Sequence, residues 1–371
     1  MSPEFTTDPH ERLAAHLDAA PLGAPQAPEL MAILRTLFSP AEAELAAELP
    51  FAPVGVARLA QELDRPAEEV GPILAGLADR GLCFERQTPR GAYYGLLPVV
   101  PGLAETQFVG GVVNDEKRRL ARLFADYYGK GPGPALVAAG QRGAALPRVI
   151  PVGRAVAADQ EILPFEQAET VLRQADYICV GTCYCRQEAE LNGHGCGAPK
   201  DVCLTFGPFA EFLVGKGLAQ AADFKAAMRV MERAEKAGLV HVTANAAKDV
   251  KFICNCCGCC CLFLKTVTQL KRPGAIAAAG WLAVVDPDNC VACGQCQEVC
   301  QVGAPQPLDE TMAVDASLCL GCGHCALACP TGAIAMQPRP RRQAPPFASF
   351  MELTAAISQG RARKKVEEGH A

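Results

Sequence analysis

The sequence has one Trp and six Tyr, and aromatic residues make up 6% of its 371 positions. No run approaches the roughly 18 apolar residues that a membrane span needs. The longest weakly polar stretch, Ala275 to Val285, is short and rich in Ala. Met1 to Pro25 carries Asp8, Glu11 and Asp18 and has no continuous apolar core, so no secretory leader is expected there. A Gly-x-Gly-x-x-Gly opening a helix and a Gly-Lys-Ser/Thr loop are both missing, so neither a nucleotide nor a flavin is expected. The formal net charge of −5 argues against a large nucleic-acid footprint. Cysteine is almost missing from the first 178 residues, which hold only Cys83.

The other 19 of the 20 cysteines fall between Cys179 and Cys329. Such density means disulfides or metal. Disulfide scaffolds are short and secreted, and nothing here suggests export. The thiols are therefore expected to bind metal in a reducing cytoplasm.

The chain length suggests two to three domains. Residues 1–29 are Pro- and Ala-rich and read as a loosely held segment. Helices are expected over Leu30 to Phe38, Ala41 to Leu49, Val54 to Leu63 and Ala67 to Arg80, the last with Val70, Ile73, Leu74 and Leu77 on one face. Strand-like Leu82 to Arg86, a Pro89-Arg90-Gly91 turn and Ala92 to Leu97 follow. Helix, turn, helix and a two-stranded wing resemble a winged-helix domain, placed at residues 30–105. DNA binding is disfavoured there, because the second helix opens on Glu68-Glu69, where phosphates would face it, and residues 51–100 hold five Arg and no Lys against six acidic residues. A cysteine-rich mixed α/β central domain is placed at 106–284, with helices over Asn114 to Tyr128, Phe165 to Ala175 and Asp223 to Ala237, and a strand over Leu239 to Thr243. A ferredoxin-like domain at 285–337 and a basic tail at 338–371, with one helix at Phe350 to Ser358, complete an α+β multidomain chain.

The strongest motif is an internal repeat. Cys290, Cys293, Cys296 and Cys300 recur, shifted by 29 residues, as Cys319, Cys322, Cys325 and Cys329, with Gly294 matching Gly323 and Gly303 matching Gly332. Thiolates three residues apart on a tight loop can bind three irons of one cube, while the fourth Cys reaches the other cube. Zinc sites do not require this x2-x2-x3 run. Val285 to about Ala335 resembles the bacterial two-cluster ferredoxins. The resemblance implies two [4Fe-4S] clusters, one on Cys290, Cys293, Cys296 and Cys329, the other on Cys319, Cys322, Cys325 and Cys300. The family usually has Pro after each fourth Cys; Cys329 is followed by Pro330, but Cys300 by Gln301.

Two further groups are less familiar: Cys183, Cys185, Cys196 and Cys203, and Cys254, Cys256, Cys257, Cys259, Cys260 and Cys261. So dense a run cannot place every thiol on one cube. Either the first group holds a third cubane and part of the second a fourth cluster, or the groups exchange ligands. One or two additional iron-sulfur clusters are expected. The Cys256-Cys257-Gly258 context is similar to the cysteine-rich domains that hold noncubane clusters in disulfide-reducing enzymes. Arg186 is a candidate partner for cluster charge, with a surface Arg as the alternative; His194 reads as a loop residue; Cys83 and Cys179 read as packing residues.

The whole layout resembles anaerobe 4Fe-4S ferredoxin-like proteins with a winged-helix-like N-terminus, a Cys-x-Cys-Arg segment, a Cys-Cys-rich run and a C-terminal dicluster ferredoxin. This implies electron transfer in anaerobic metabolism, to or from a redox partner protein or oxidoreductase complex, by a carrier or subunit. A reductase with its own catalytic cluster in residues 183–261 is the first alternative, and an iron-sulfur-sensing DNA-binding regulator the second.

Overall fold

The structure is a computed structural model that describes residues 8–129, 144–340 and 344–368. It mixes helix and sheet and divides into two compact units. The first gathers residues up to 136 with 181–195 and 208–221; the second gathers 137–180, 196–207 and 222 onward.

In the first unit, helices α1 (Pro9–Asp18), α2 (Pro28–Leu37) and α3 (Pro40–Glu48) each begin with Pro at the first turn, where its missing N–H costs no bond. The loosely held N-terminus expected from composition is instead helical from Pro9: Asp8 accepts from the His10 amide, and Leu13, Ala14 and Leu17 are buried. Rings also tie it down, His10 Nε2 to the Phe38 carbonyl and His16 Nε2 to the Leu49 carbonyl, both at 2.9 Å. Ser39 and Glu42 form a reciprocal capping box on α3.

Strand β1 (Val54–Gly55), α4 (Val56–Glu62), α5 (Ala67–Asp79), β2 (Cys83–Thr88) and β3 (Gly91–Leu96) follow. The helix expected from Val54 starts two residues later, because Val54 and Gly55 pair with Tyr94 and Tyr93 of β3, giving the order β1-β3-β2. Helices α6 (Ala104–Phe108) and α7 (Asp115–Gly129) complete this stretch. Helix α7 buries Leu120, Ala121, Phe124 and Tyr127. Helix Tyr184–Leu191 packs on α6 and α7 within the same unit.

The second unit is built on β4 (Pro147–Val149), β5 (Ile178–Gly181), β6 (Cys203–Phe206), β8 (Val240–Ala244) and β9 (Phe252–Cys256), in the order β4-β8-β9-β6-β5; the short β7 is Gln220–Ala222. Where Phe165 to Ala175 was expected to be one helix, a 3-10 turn at Pro164–Glu166 precedes a shorter helix, Ala168–Arg173. Helix Phe224–Lys236 is capped by Asp223, which accepts from the Ala226 amide at 2.6 Å, and it buries Ala227, Val230, Met231 and Ala234.

The C-terminal repeat forms two matching halves. Strand β10 (Trp281–Val285), a turn of helix Gln295–Glu298 and β11 (Pro305–Leu308) make the first; β12 (Thr311–Val314), helix His324–Ala328 and β13 (Ile334–Pro338) make the second. The halves interlock, since β10 pairs antiparallel with β13 and β11 with β12. The tail is more than a solvated basic stretch. Arg339 donates to the carbonyls of Ala279, at 3.0 Å, and of Cys319, and helix Phe350–Glu368 buries Leu353 and Ile357. No helix among the described residues is long and apolar enough to cross a membrane.

Candidate iron-sulfur centres

The C-terminal repeat presents two thiol-lined cavities. One is lined by Cys290, Cys293, Cys296 and Cys329, with Val291, Pro330 and Thr331. The other is lined by Cys319, Cys322, Cys325 and Cys300, with Val240, Gln301 and His324. Each draws three cysteines from one run and the last from the other. The loops turn at Gly294 (φ +76°) and Gly323 (φ +89°), left-handed conformations that favour glycine. At Gly323 a Cβ would also lie 2.6 Å from that of Ala155.

Thiol chemistry differs around these cavities. Burial pushes Cys322 up to about 12, and burial with the neighbouring thiols of Cys322 and Cys319 pushes Cys325 up as well. Burial also acts to raise Cys329, yet its thiol is held below the ordinary range by the Thr331 hydroxyl and by the backbone N–H groups of Thr331, Ala333 and Ile334. Its equivalent, Cys300, accepts the Ala304 N–H at 3.3 Å. Backbone donors aimed at cysteine sulfur suit thiolates that bind iron, so these residues fit a thiolate-held cluster. Residues 273–338 carry six acidic side chains and no Lys or Arg, with the Arg339 guanidinium on the Cys319 carbonyl as the cation next to the second cavity.

A third gathering lies outside the repeat. The sulfurs of Cys196, Cys257, Cys259 and Cys260 all lie within 4.8 Å of one another, with Cys196 to Cys257 at 3.9 Å and Cys259 to Cys260 at 3.6 Å. Cys257 and Cys260 are buried; Cys196 and Cys259 are exposed. Burial, then the Cys257 thiol, pushes Cys259 up to about 11; the Cys257 thiol, then burial, raises Cys260. Four thiols at this spacing are a complete donor set for a soft metal centre.

Gln301 joins this group to the repeat. Its Oε1 accepts the Gly258 N–H at 2.8 Å and its Nε2 donates to the Gly238 carbonyl at 3.0 Å. A Cβ on Gly258 would lie 2.1 Å from the Gln301 carbonyl oxygen.

The remaining cysteines lie on several elements. Cys183 caps helix Tyr184–Leu191 and Cys185 lies in its first turn, both buried in the first unit. Cys203 opens β6 and is half-buried. Cys254 and Cys256 lie on β9, and Cys261 starts helix Leu262–Thr268. Hydrogen bonding to Cys254 and Cys261, with burial, holds the Cys256 thiol well above its ordinary range. Cys83 and Cys179 are fully buried, and burial pushes them up to about 12 and about 11. Cys83 donates to the Leu74 carbonyl at 3.5 Å. Arg186 is buried, which removes the surface reading of it. His194 is exposed, its Nδ1 2.6 Å from the Asn192 carbonyl.

A family model described as a 4Fe-4S binding domain matches residues 283–306 and 312–335, one match on each half of the repeat. Compared with the curated proteins and with the solved structures, the chain matches none. The C-terminal region is thus a ferredoxin-type 4Fe-4S binding domain, and this domain with the cysteine clusters gives the chain an iron-sulfur character suited to electron transfer.

Proposed function

We propose that the chain is a multi-cluster iron-sulfur electron-transfer protein that exchanges low-potential electrons with a partner redox enzyme in anaerobic metabolism. The observation that carries this is the pair of cavities in which each cysteine run lends its last member to the other. Cys290, Cys293, Cys296 and Cys329 would hold one [4Fe-4S] cluster, and Cys319, Cys322, Cys325 and Cys300 the other. Bound clusters would supply one-electron redox chemistry; the protein's part is to donate hydrogen bonds to the sulfurs and exclude water. Cys196, Cys257, Cys259 and Cys260 would hold an additional centre, and Cys183 and Cys185 remain candidate ligands on their Cys-x-Cys-Arg spacing.

The three-domain division, with a winged-helix-like module at 30–105, a cysteine-rich part at 106–284 and a dicluster ferredoxin at 285–337, belongs to the same proposal. In the first module, Arg58 pairs with Glu62 at 2.8 Å and Arg65 with Glu69 at 3.9 Å, and Glu68 and Glu69 occupy the first turn of α5. This favours a protein-contact role over DNA binding. A gel shift at physiological salt is expected to show no specific complex.

Anaerobic reconstitution with iron and sulfide counts, followed by a redox titration monitored by EPR, tests the assignment. At least three clusters are expected. A chain that takes up no reducible cluster in residues 283–335 would sink it. The exposure of Cys196 and Cys259 favours a second reading, in which that centre is open to a substrate and the chain is a reductase. Mössbauer spectra of fully sulfur-ligated iron, unchanged by candidate substrates, would exclude that reading.

A further inference from the structure

The run from Cys254 to Cys261 is two-sided. Along β9, alternate residues share a face, so Cys254 and Cys256 point to one side while Ile253 and Asn255 point to the other. On that other side Asn255 is engaged, its Oδ1 2.6 Å from His241 Nδ1 and its Nδ2 donating to the Val202 carbonyl at 2.7 Å. Strand β6 runs antiparallel to β9 with Leu204 opposite Ile253 and Thr205 opposite Phe252. The next step of that register sets Cys203 opposite Cys254, where directly opposed residues share a face with Cβ atoms about 4.5–5.5 Å apart. Cys261 completes the set from the start of the following helix, hydrogen-bonded with Cys256. Cys256 and Cys261 are buried, and Cys203 and Cys254 are half-buried.

We infer that Cys203, Cys254, Cys256 and Cys261 form an iron-sulfur site of their own, more deeply buried than, and back to back with, the partly exposed Cys196, Cys257, Cys259 and Cys260 group. Six cysteines in eight residues are then used in two threes, and the Cys256–Cys257 peptide joins the two centres. The site also neighbours the ferredoxin-type domain: Val240, opposite Cys256 across the β8–β9 ladder, lines the cavity of Cys300, Cys319, Cys322 and Cys325. This site is thereby set as a relay between the dicluster cavities and the exposed group. This inference rests on the electron-transfer reading above and extends it.

The test is anaerobic reconstitution of the full chain and of Cys261→Ser, Cys203→Ser and the double variant Cys196→Ser/Cys259→Ser. Iron, acid-labile sulfide and zinc are counted, and the dithionite-reduced EPR spectrum is recorded. Cys261→Ser and Cys203→Ser should each lose the same increment of about four irons and four sulfides. The double variant should lose a different increment, and all three variants should keep the ferredoxin-type signal, which certifies folding. Full iron retention in both single variants overturns the inference, as does one common increment lost by all three, or zinc at the site. If the ferredoxin-type signal is missing from the unmodified chain, the electron-transfer reading itself fails.

Discussion

The contact between Gln301 and Gly258 can be broken in two independent ways. Gln301→Ala removes two hydrogen bonds, of 2.8 and 3.0 Å, and leaves the Gly258 N–H and the Gly238 carbonyl in a half-buried space. Each bond contributes about 0.5–1.5 kcal/mol net, so the loss should be about 1–3 kcal/mol. Gln301→Pro, which restores the residue usual after the fourth cysteine in two-cluster ferredoxins, removes the same side-chain bonds and the backbone N–H as well, and should cost at least as much. Gly258→Ala attacks from the other side: its Cβ would lie 2.1 Å from a backbone oxygen, so no rotamer can relieve the clash and the turn must move. Overpacking of this kind costs about 1–3 kcal/mol. The moving turn carries Cys257 and Cys259, so iron at the Cys196 group should fall while the ferredoxin-type iron stays. Urea unfolding can be followed by the emission of Trp281, the sole Trp, which is buried on β10. An unchanged midpoint with full iron in both Gln301→Ala and Gly258→Ala would refute the idea that this contact docks the cysteine-rich turn on the repeat.

Thr331→Val removes the hydroxyl 3.6 Å from the Cys329 sulfur, and losing a contribution of about 0.5–1.5 kcal/mol to the reduced state should lower the potential of that cluster by about 20–60 mV in an EPR titration. Arg148→Ala strips the guanidinium from a buried pair with Glu166, at 3.9 Å, and from Asn245, at 2.7 Å, and should destabilise the second unit by about 3–5 kcal/mol in urea unfolding. With burial raising Cys83 to about 12 and Cys179 to about 11, their thiolate fractions at pH 8 are about 10⁻⁴ and 10⁻³ against about a quarter for a free thiol, so alkylation mapped by mass spectrometry should leave both unmodified until the chain is unfolded.

What could be read from the sequence follows the range of the interactions involved. The x2-x2-x3 runs and their 29-residue shift are local, and so are the apolar stripes of α5, α7 and helix Phe224–Lys236; all lie within a residue or two of expectation. Helix α1 was hidden by its Pro- and Ala-rich surroundings, although Leu13, Ala14 and Leu17 already carried its buried stripe. Strand β8 alternates as Val-His-Val-Thr, but its polar residues His241 and Thr243 are buried too, so the alternation does not mark a solvent face or the sheet it belongs to. The gathering of Cys196 with Cys257 spans 61 residues, a distance over which spacing carries no information. The division of Cys254 to Cys261 depends on where β9 ends and its turn begins, and this is set by pairing with β6 and β8.

The one departure of the repeat from its family pattern now has a physical reason. Proline after the fourth cysteine presets a turn and needs no partner, and the second half keeps it as the exposed Pro330. In the first half the equivalent position faces the Gly238 and Gly258 backbones, whose carbonyl and amide each need a hydrogen bond. Proline has no side-chain polar group and could answer neither; glutamine answers both. The two positions after the fourth cysteine are therefore unequal: Gln301 meets the turn bearing Cys257 and Cys259, whereas Pro330 is exposed. On the proposed electron-transfer reading, with one face of the repeat committed to a second cysteine cluster, the Cys290, Cys293, Cys296 and Cys329 cavity, with Val291 exposed beside it, would be the end open to a partner.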